Sequence, residues 1–184
     1  MSGGRGRTVI KDELGLVHIY CGNGKGKTTG AMGLALRALG RGLRVVVVQF
    51  LKGGDSGEIT ALTTLLGARV FTNPGLAPFR LSETEKISCR DRHAENFRQA
   101  CALCKSNDCD LLVLDEIIGA ISRGLFDEAV LVDWLKTRPA NIEVALTGRD
   151  PSYALLEIAD YVSRIEKIKH PLNNGIAARF GVEK

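Results

Sequence analysis

Apolar and polar positions along the chain fall into two alternating kinds of run. Leu16-Val17-His18-Ile19-Tyr20-Cys21 is β-rich and ends at glycines, and from Lys27 to Leu39 apolar residues return at Met32, Leu36 and Leu39 with helical spacing. Gly40-Arg41-Gly42 stops that helix. Leu43 to Phe50 is so continuously apolar that it reads as a strand buried on both faces of a parallel sheet. Ala68 to Phe71 is a weaker strand, Asn73-Pro74-Gly75 and Pro78 mark a loop, and a long helix runs from about Glu83 to Lys105. Leu111 to Leu114 is a second doubly buried strand, ending in Asp115-Glu116. Phe126 to Lys136 then reads as a helix, Ile142 to Leu146 as a strand, Ser152 to Ile158 as a helix and Tyr161 to Ile165 as a short last strand. The alternation predicts a mostly parallel, three-layer α/β sheet whose ligands sit at the carboxyl ends of its strands. We expect a flexible segment over 1–15 and one domain over 16–184, with a polar, Gly-marked tail from about residue 169.

Composition narrows the function classes. At 184 residues with 45% apolar and 25% charged positions the chain is an ordinary globular domain, and no stretch is long and apolar enough to span a bilayer. Met1 to Arg7 is rich in Gly and Arg rather than apolar, which speaks against a secretory leader and for the cytoplasm. The net charge of +4 is mild and scattered, so nucleic acid gains no support as a partner. Five cysteines are an odd number for a disulfide framework. The spacing Cys101-x-x-Cys104-x-x-x-x-Cys109 raises zinc or an iron–sulfur cluster. The helical setting favours the simpler reading, small buried hydrophobes one turn apart.

The chemistry gathers around Cys21-Gly22-Asn23-Gly24-Lys25-Gly26-Lys27-Thr28-Thr29. A strand, a glycine loop ending in Gly-Lys-Thr and a helix form the setting of a phosphate-binding loop, although Cys21 stands where the usual pattern has its first glycine. Glycines at 22, 24 and 26 let backbone N–H groups curl around an anion at the positive end of the helix. Lys27 adds a charge to the phosphates, and the Thr28 hydroxyl is placed for Mg²⁺. Asp115, at the end of a buried strand, is the usual direct or indirect partner of that metal, and Glu116 either primes water or helps hold the ion. Thr147-Gly148-Arg149 falls at the same sheet edge, within reach of phosphates or as a turn with a solvated arginine. His170 alone reads as a surface or capping histidine.

With these pieces in order, the sequence resembles the P-loop type of ATP:corrinoid adenosyltransferases over nearly its whole length. Gly22 to Thr29 is similar to that family's variant loop, in which the residue before the first glycine is not glycine. Val48 to Gly53 (VQFLKG), Val113 to Glu116, Thr147 to Arg149, Ala159-Asp160, and Lys169-His170-Pro171 with Gly175 and Gly181-Val182-Glu183 follow in the family's order. The resemblance implies a RecA-like P-loop fold and a specific reaction, in which corrinoid Co(I) attacks the ribose 5′ carbon of ATP and expels triphosphate. It implies ATP held by Gly22 to Thr29 and Arg149, and catalytic roles for Lys27, Thr28, Glu116 and Arg149. A Mg²⁺ or Mn²⁺ ion would be held by Thr28, Asp115 and Glu116. A one-electron reductant protein such as a flavodoxin and a homodimer are further expectations of the same kind.

Two departures stand out. The family often has Gly-Phe-Thr-Trp after the third strand, to crowd one face of the corrinoid; here Gly75-Leu76-Ala77-Pro78-Phe79 stands instead, and Leu76 and Phe79 are the candidates for that role. Arg164 follows Ser163 where the family commonly has Glu, and Glu166 comes two later, which reads as an exchanged ion pair. Two other readings stay open from the residues: a RecA-like ATPase acting on a protein or nucleic acid, with Glu116 priming water, and a corrinoid-binding protein without turnover.

Overall fold

The computed structural model describes residues 13–53, 56–64, 66–74 and 81–182. Its sheet has six strands, all parallel: β1 (Val17–Cys21), β2 (Val45–Gln49), β3 (Arg69–Phe71), β4 (Leu111–Asp115), β5 (Glu143–Thr147) and β6 (Tyr161–Arg164). Their order is β3-β2-β4-β5-β1-β6, so β5 is inserted between the glycine-loop strand and the strand that ends in Asp115. That insertion is the RecA-like arrangement expected of the sequence.

Among the described residues six α-helices cover the two faces: α1 (Lys27–Leu39), α2 (Gly57–Thr64), α3 (Glu83–Lys105), α4 (Ile117–Ser122), α5 (Glu128–Thr137) and α6 (Tyr153–Ile158). The pleat sorts alternate residues of the central strands into two cores. Val45, Val47, Leu111 and Val113 pack with Ala31, Met32 and Ala35 of α1 and with Ile59 and Leu62 of α2. Val46, Val48, Leu112 and Leu114 pack with Phe97 and Cys101 of α3, Ile117 and Ile118 of α4 and Leu131 and Trp134 of α5. Every residue of β2 and β4 is buried, as continuous apolar runs require.

The observed bounds of α1 and α3 coincide with the sequence expectation, and each has a local cause. α3 starts at a capping box, in which the Ser82 hydroxyl accepts from Glu85 N–H and the Glu85 carboxylate accepts from Ser82 N–H. Two helices, α2 and α4, go beyond the sequence expectation. α4 is six residues long, contains Gly119, and leaves β4 through Glu116, which takes a left-handed conformation with φ of 62°. The five cysteines are free and buried, in keeping with small core residues, and burial pushes the Cys101 thiol up to about 12. Among the described residues no helix is long and apolar enough to cross a membrane. Residues 1–12 of the expected N-terminal segment lie outside the described residues.

Candidate nucleotide site

The glycine loop leaves β1 at Cys21 and turns into α1 at Gly26, which has φ of 122° and provides no side-chain cap. A helix start of this kind leaves the N–H groups of its first turn, Lys27 to Thr29, directed at whatever lies before it. The glycines also perform a task that an anion cradle alone does not require. Gly22 N–H donates to the Arg149 carbonyl at 2.8 Å and Gly24 N–H to the Ile165 carbonyl at 2.8 Å. A Cβ on Gly22 would stand 2.4 Å from the Ile165 carbonyl oxygen, and one on Gly24 2.8 Å from the Glu166 carbonyl carbon. Asn23 Oδ1 accepts from Lys167 N–H at 2.9 Å. The first half of the loop is therefore clamped against the turn after β5 and the chain that continues from β6, while its second half faces the cavity.

Asp115 is fully buried and is the hub of the site. Its Oδ1 accepts from the hydroxyls of Thr28 and Thr147, both at 2.8 Å. Its Oδ2 accepts from Lys52 Nζ at 2.9 Å and from the Gln49 amide at 3.3 Å. Lys52 Nζ also donates to Thr28 Oγ1 at 3.0 Å. Thr147 receives the N–H of Glu116 at 2.8 Å, which ties the end of β5 to the turn after β4. Lys27 folds back to donate to the Gly24 carbonyl at 2.8 Å.

The positions of the remaining groups follow from the sheet. Lys27, Lys52, Glu116 and Arg149 all line one open cavity of about 1180 Å³ at the carboxyl edge, with Asn23 and Thr28. Burial raises the Glu116 carboxyl above the usual range, Asp115 beside it adds to this, and Lys52, Lys27 and Arg149 pull the other way. Gly148 lets the Thr147 to Arg149 turn pass over α4, since a Cβ there would meet Ile118 Cβ at 2.4 Å. The structure thus brings Gly22 to Thr29, Asp115, Glu116 and Arg149 to one edge. Leu76 and Phe79 lie outside the described residues.

Gln49 was not read from the sequence as a neighbour of the site; it lies directly across from Asp115 in the β2–β4 register. Thr147, expected at this edge, ends the next strand. Three parallel strands ending in Gln, Asp and Thr were the available signal for Gln49. The polar tail adds no core element, yet Lys169, His170, Ile176 and Arg179 line the cavity wall. Asp160 has a structural task, accepting from Val17 N–H at 2.8 Å at the start of β1. Arg164 and Glu166 do meet, at 3.6 Å, on the exposed surface.

As a donor set, Thr28 Oγ1 and the Asp115 carboxylate are hard oxygens on one side of a helix start, which suits Mg²⁺ supplemented by phosphate and water. No cluster of three or more His, Cys, Asp or Glu side chains suited to a metal ion occurs among the described residues. With β5 set between β1 and β4, and the loop hydroxyl bonded across that gap to the strand acid, the fold is that of the P-loop α/β proteins. Within that class, residues 13–183 match the family described as ATP:corrinoid adenosyltransferase BtuR/CobO/CobP, and the chain belongs to it. A corrinoid adenosyltransferase of Escherichia coli (strain K12) is 33% identical over 175 residues, which is 94% of this chain and 87% of that protein. One from Pseudomonas aeruginosa is 34% identical over 174 residues, covering 94% and 85% of the two chains. Corrinoid adenosyltransferase CobA of Salmonella typhimurium is 30% identical over 181 residues, covering 94% and 87%.

Proposed function

We propose that this protein transfers the 5′-deoxyadenosyl group of ATP to the Co(I) of a reduced corrinoid and releases triphosphate. One bond forms, from cobalt to the ribose 5′ carbon, and one breaks, from that carbon to the triphosphate oxygen. The cobalt supplies the electron pair, so the protein has no need of a nucleophile or general base. Its tasks are to position ATP and stabilise the departing charge. The observation that carries this reading, beyond family membership, is the composition of the cavity edge. It presents Lys27, Lys52, Arg149 and the first-turn amides of α1 together, which is a surface for a polyanion.

In this reading Gly22 to Thr29 cradle the triphosphate, Lys27 leaves the Gly24 carbonyl for the phosphates, and Arg149 closes on them from β5. Thr28 and Asp115 hold Mg²⁺, with Glu116 beside it. That ion, when bound, offsets the charge that builds on the leaving triphosphate. A small reductant protein of the flavodoxin kind, a homodimeric state and a cytoplasmic setting belong to the same proposal.

An anaerobic assay with ATP, Mg²⁺ and chemically reduced cobalamin tests it: adenosylcobalamin and triphosphate should appear together, one for one. ADP and phosphate formed without corrinoid would replace the transferase by an ATPase, and bound corrinoid without product would leave a carrier. Lys27→Ala should lower turnover by about 10²-fold or more while the protein melts normally; near wild-type turnover would remove Lys27 from the cradle.

A further inference from the structure

Asp115 accepts four hydrogen bonds, from Thr28, Thr147, Gln49 and Lys52, which is the full capacity of a carboxylate. Three of those donors are held by regular structure. Thr28 is in α1, and Gln49 and Thr147 end β2 and β5. Lys52 differs: it sits on the bend that follows β2, and its side chain is 33% exposed. Its ammonium bridges Asp115 Oδ2 at 2.9 Å and Thr28 Oγ1 at 3.0 Å. The Thr28 hydroxyl gives its proton to Asp115 Oδ1, so the lone pair it turns to Lys52 is the one a metal ion needs. Magnesium binds oxygen at about 2.1 Å, and no second cation fits against the same oxygens while the ammonium remains there.

We propose that Lys52 is the built-in counter-ion of the metal position: it fills the Thr28–Asp115 gap in the nucleotide-free protein and leaves it for an arriving triphosphate. This rests on the nucleotide-binding reading of the same loop. Two consequences follow from electrostatics. A divalent ion alone binds weakly, because it must displace a charge already matched to a buried carboxylate. A triphosphate draws the ammonium toward itself and opens the metal position in one event, so the two ligands bind cooperatively. Lys52 lines the same cavity as Lys27 and Arg149, so the path is a swing of one side chain. A lysine suits this task, as a point charge on a flexible stem that exchanges partners more readily than a forked guanidinium.

The test uses Mn²⁺ as the probe, followed through the electron paramagnetic resonance signal of the free ion, with and without inorganic tripolyphosphate. Wild-type protein should bind Mn²⁺ alone weakly, and tripolyphosphate should tighten it strongly. Lys52→Met should bind Mn²⁺ alone about tenfold more tightly or better, since one adjacent positive charge is gone. In that variant tripolyphosphate should bind more weakly in the absence of metal and should add less to Mn²⁺ affinity. Lys52→Gln serves as a second neutral variant, and melting curves confirm that the proteins compared are folded. Equal Mn²⁺ affinity in wild-type and folded neutral variants overturns the assignment, as does undiminished coupling to tripolyphosphate. The outcome is separable from the transferase reading. Adenosylated product with unchanged Mn²⁺ affinity removes Lys52 alone, whereas the expected Mn²⁺ pattern without product removes the transferase alone.

Discussion

Strand β4 carries a buried carboxylate at each end, and the two are held in opposite ways. Asp110, just before the strand, is gripped by Arg44, just before β2: its Oδ2 accepts from Arg44 N–H at 2.8 Å and Nε at 3.0 Å, and its Oδ1 from Nη2 at 2.8 Å. Asp115, at the far end, is matched instead by two hydroxyls, an amide and the Lys52 ammonium. Both pairs join the same two strands across the same sheet. A fork that bonds through three nitrogens of one residue fixes register and does little else. Single-point donors from four different segments make a carboxylate whose partners can change one at a time. The difference teaches which end of a parallel strand is built to stay and which is built to exchange.

The sharpest way to break this contrast is to neutralise each acid in turn. If Asp115 holds the metal as proposed, Asp115→Asn should cut adenosyl transfer by about 10²- to 10³-fold. Its melting temperature should move little: the Gln49 Oε1 atom is buried without a partner and can accept from the new amide, and Lys52 can turn to water. Asp110→Asn should do the reverse, keeping turnover while lowering the melting temperature by on the order of 5 °C. If both variants lose activity and stability together, the two ends are not different in kind.

A smaller effect is expected from Arg44→Lys, which keeps the charge and loses the fork. Since Arg44 is 37% exposed, solvent screens part of that loss, and the melting temperature should fall by only about 2 °C. Glu143, at the start of β5, is a third acid at the structural edge. Burial alone would raise its carboxyl, but bonds from His18 and from the N–H groups of Gly15 and Leu16 outweigh it and hold the group below the usual range. A carboxyl depressed on folding stabilises the protein above about pH 4.3 and loses that contribution as pH falls through its lowered value. Glu143→Gln should therefore lower the melting temperature at neutral pH and flatten its decline on acidification; a parallel acid limb would sink this reading. Arg164→Ala, which breaks only the exposed pair with Glu166 at 3.6 Å, should leave the melting curve where it was.

How far the sequence could carry these conclusions depended on distance along the chain. α1 and α3 were legible because their ends are signalled locally, by glycines after Leu39 and by the Pro- and Gly-marked stretch that precedes Glu83. The loop and Asp115 were legible because each combines a buried strand with an abrupt polar stop. α4 was not, because its six residues are too few for a helical period and its left-handed entry at Glu116 is set by the β4 and β5 ends packed around it. Lys52 escaped notice as a site residue for a related reason. It comes 24 residues after Thr28 and 63 before Asp115, and only strand order brings the three together.

The clamp on the glycine loop has a consequence in time. Asn23 and Lys167 are bonded across 144 positions of sequence, and Gly22 and Gly24 lean on carbonyls almost as remote. At about 5–20 residues per second of synthesis, the loop waits on the order of ten seconds for the strand that braces it. Until then α1 can form and dock on its face of the sheet, but the cradle has only one wall. A nascent chain that lacks β6 is thus a nearly complete sheet whose glycine loop is only half braced. On the proposed reading, the last wall of the cradle arrives with a piece of edge strand that touches no phosphate.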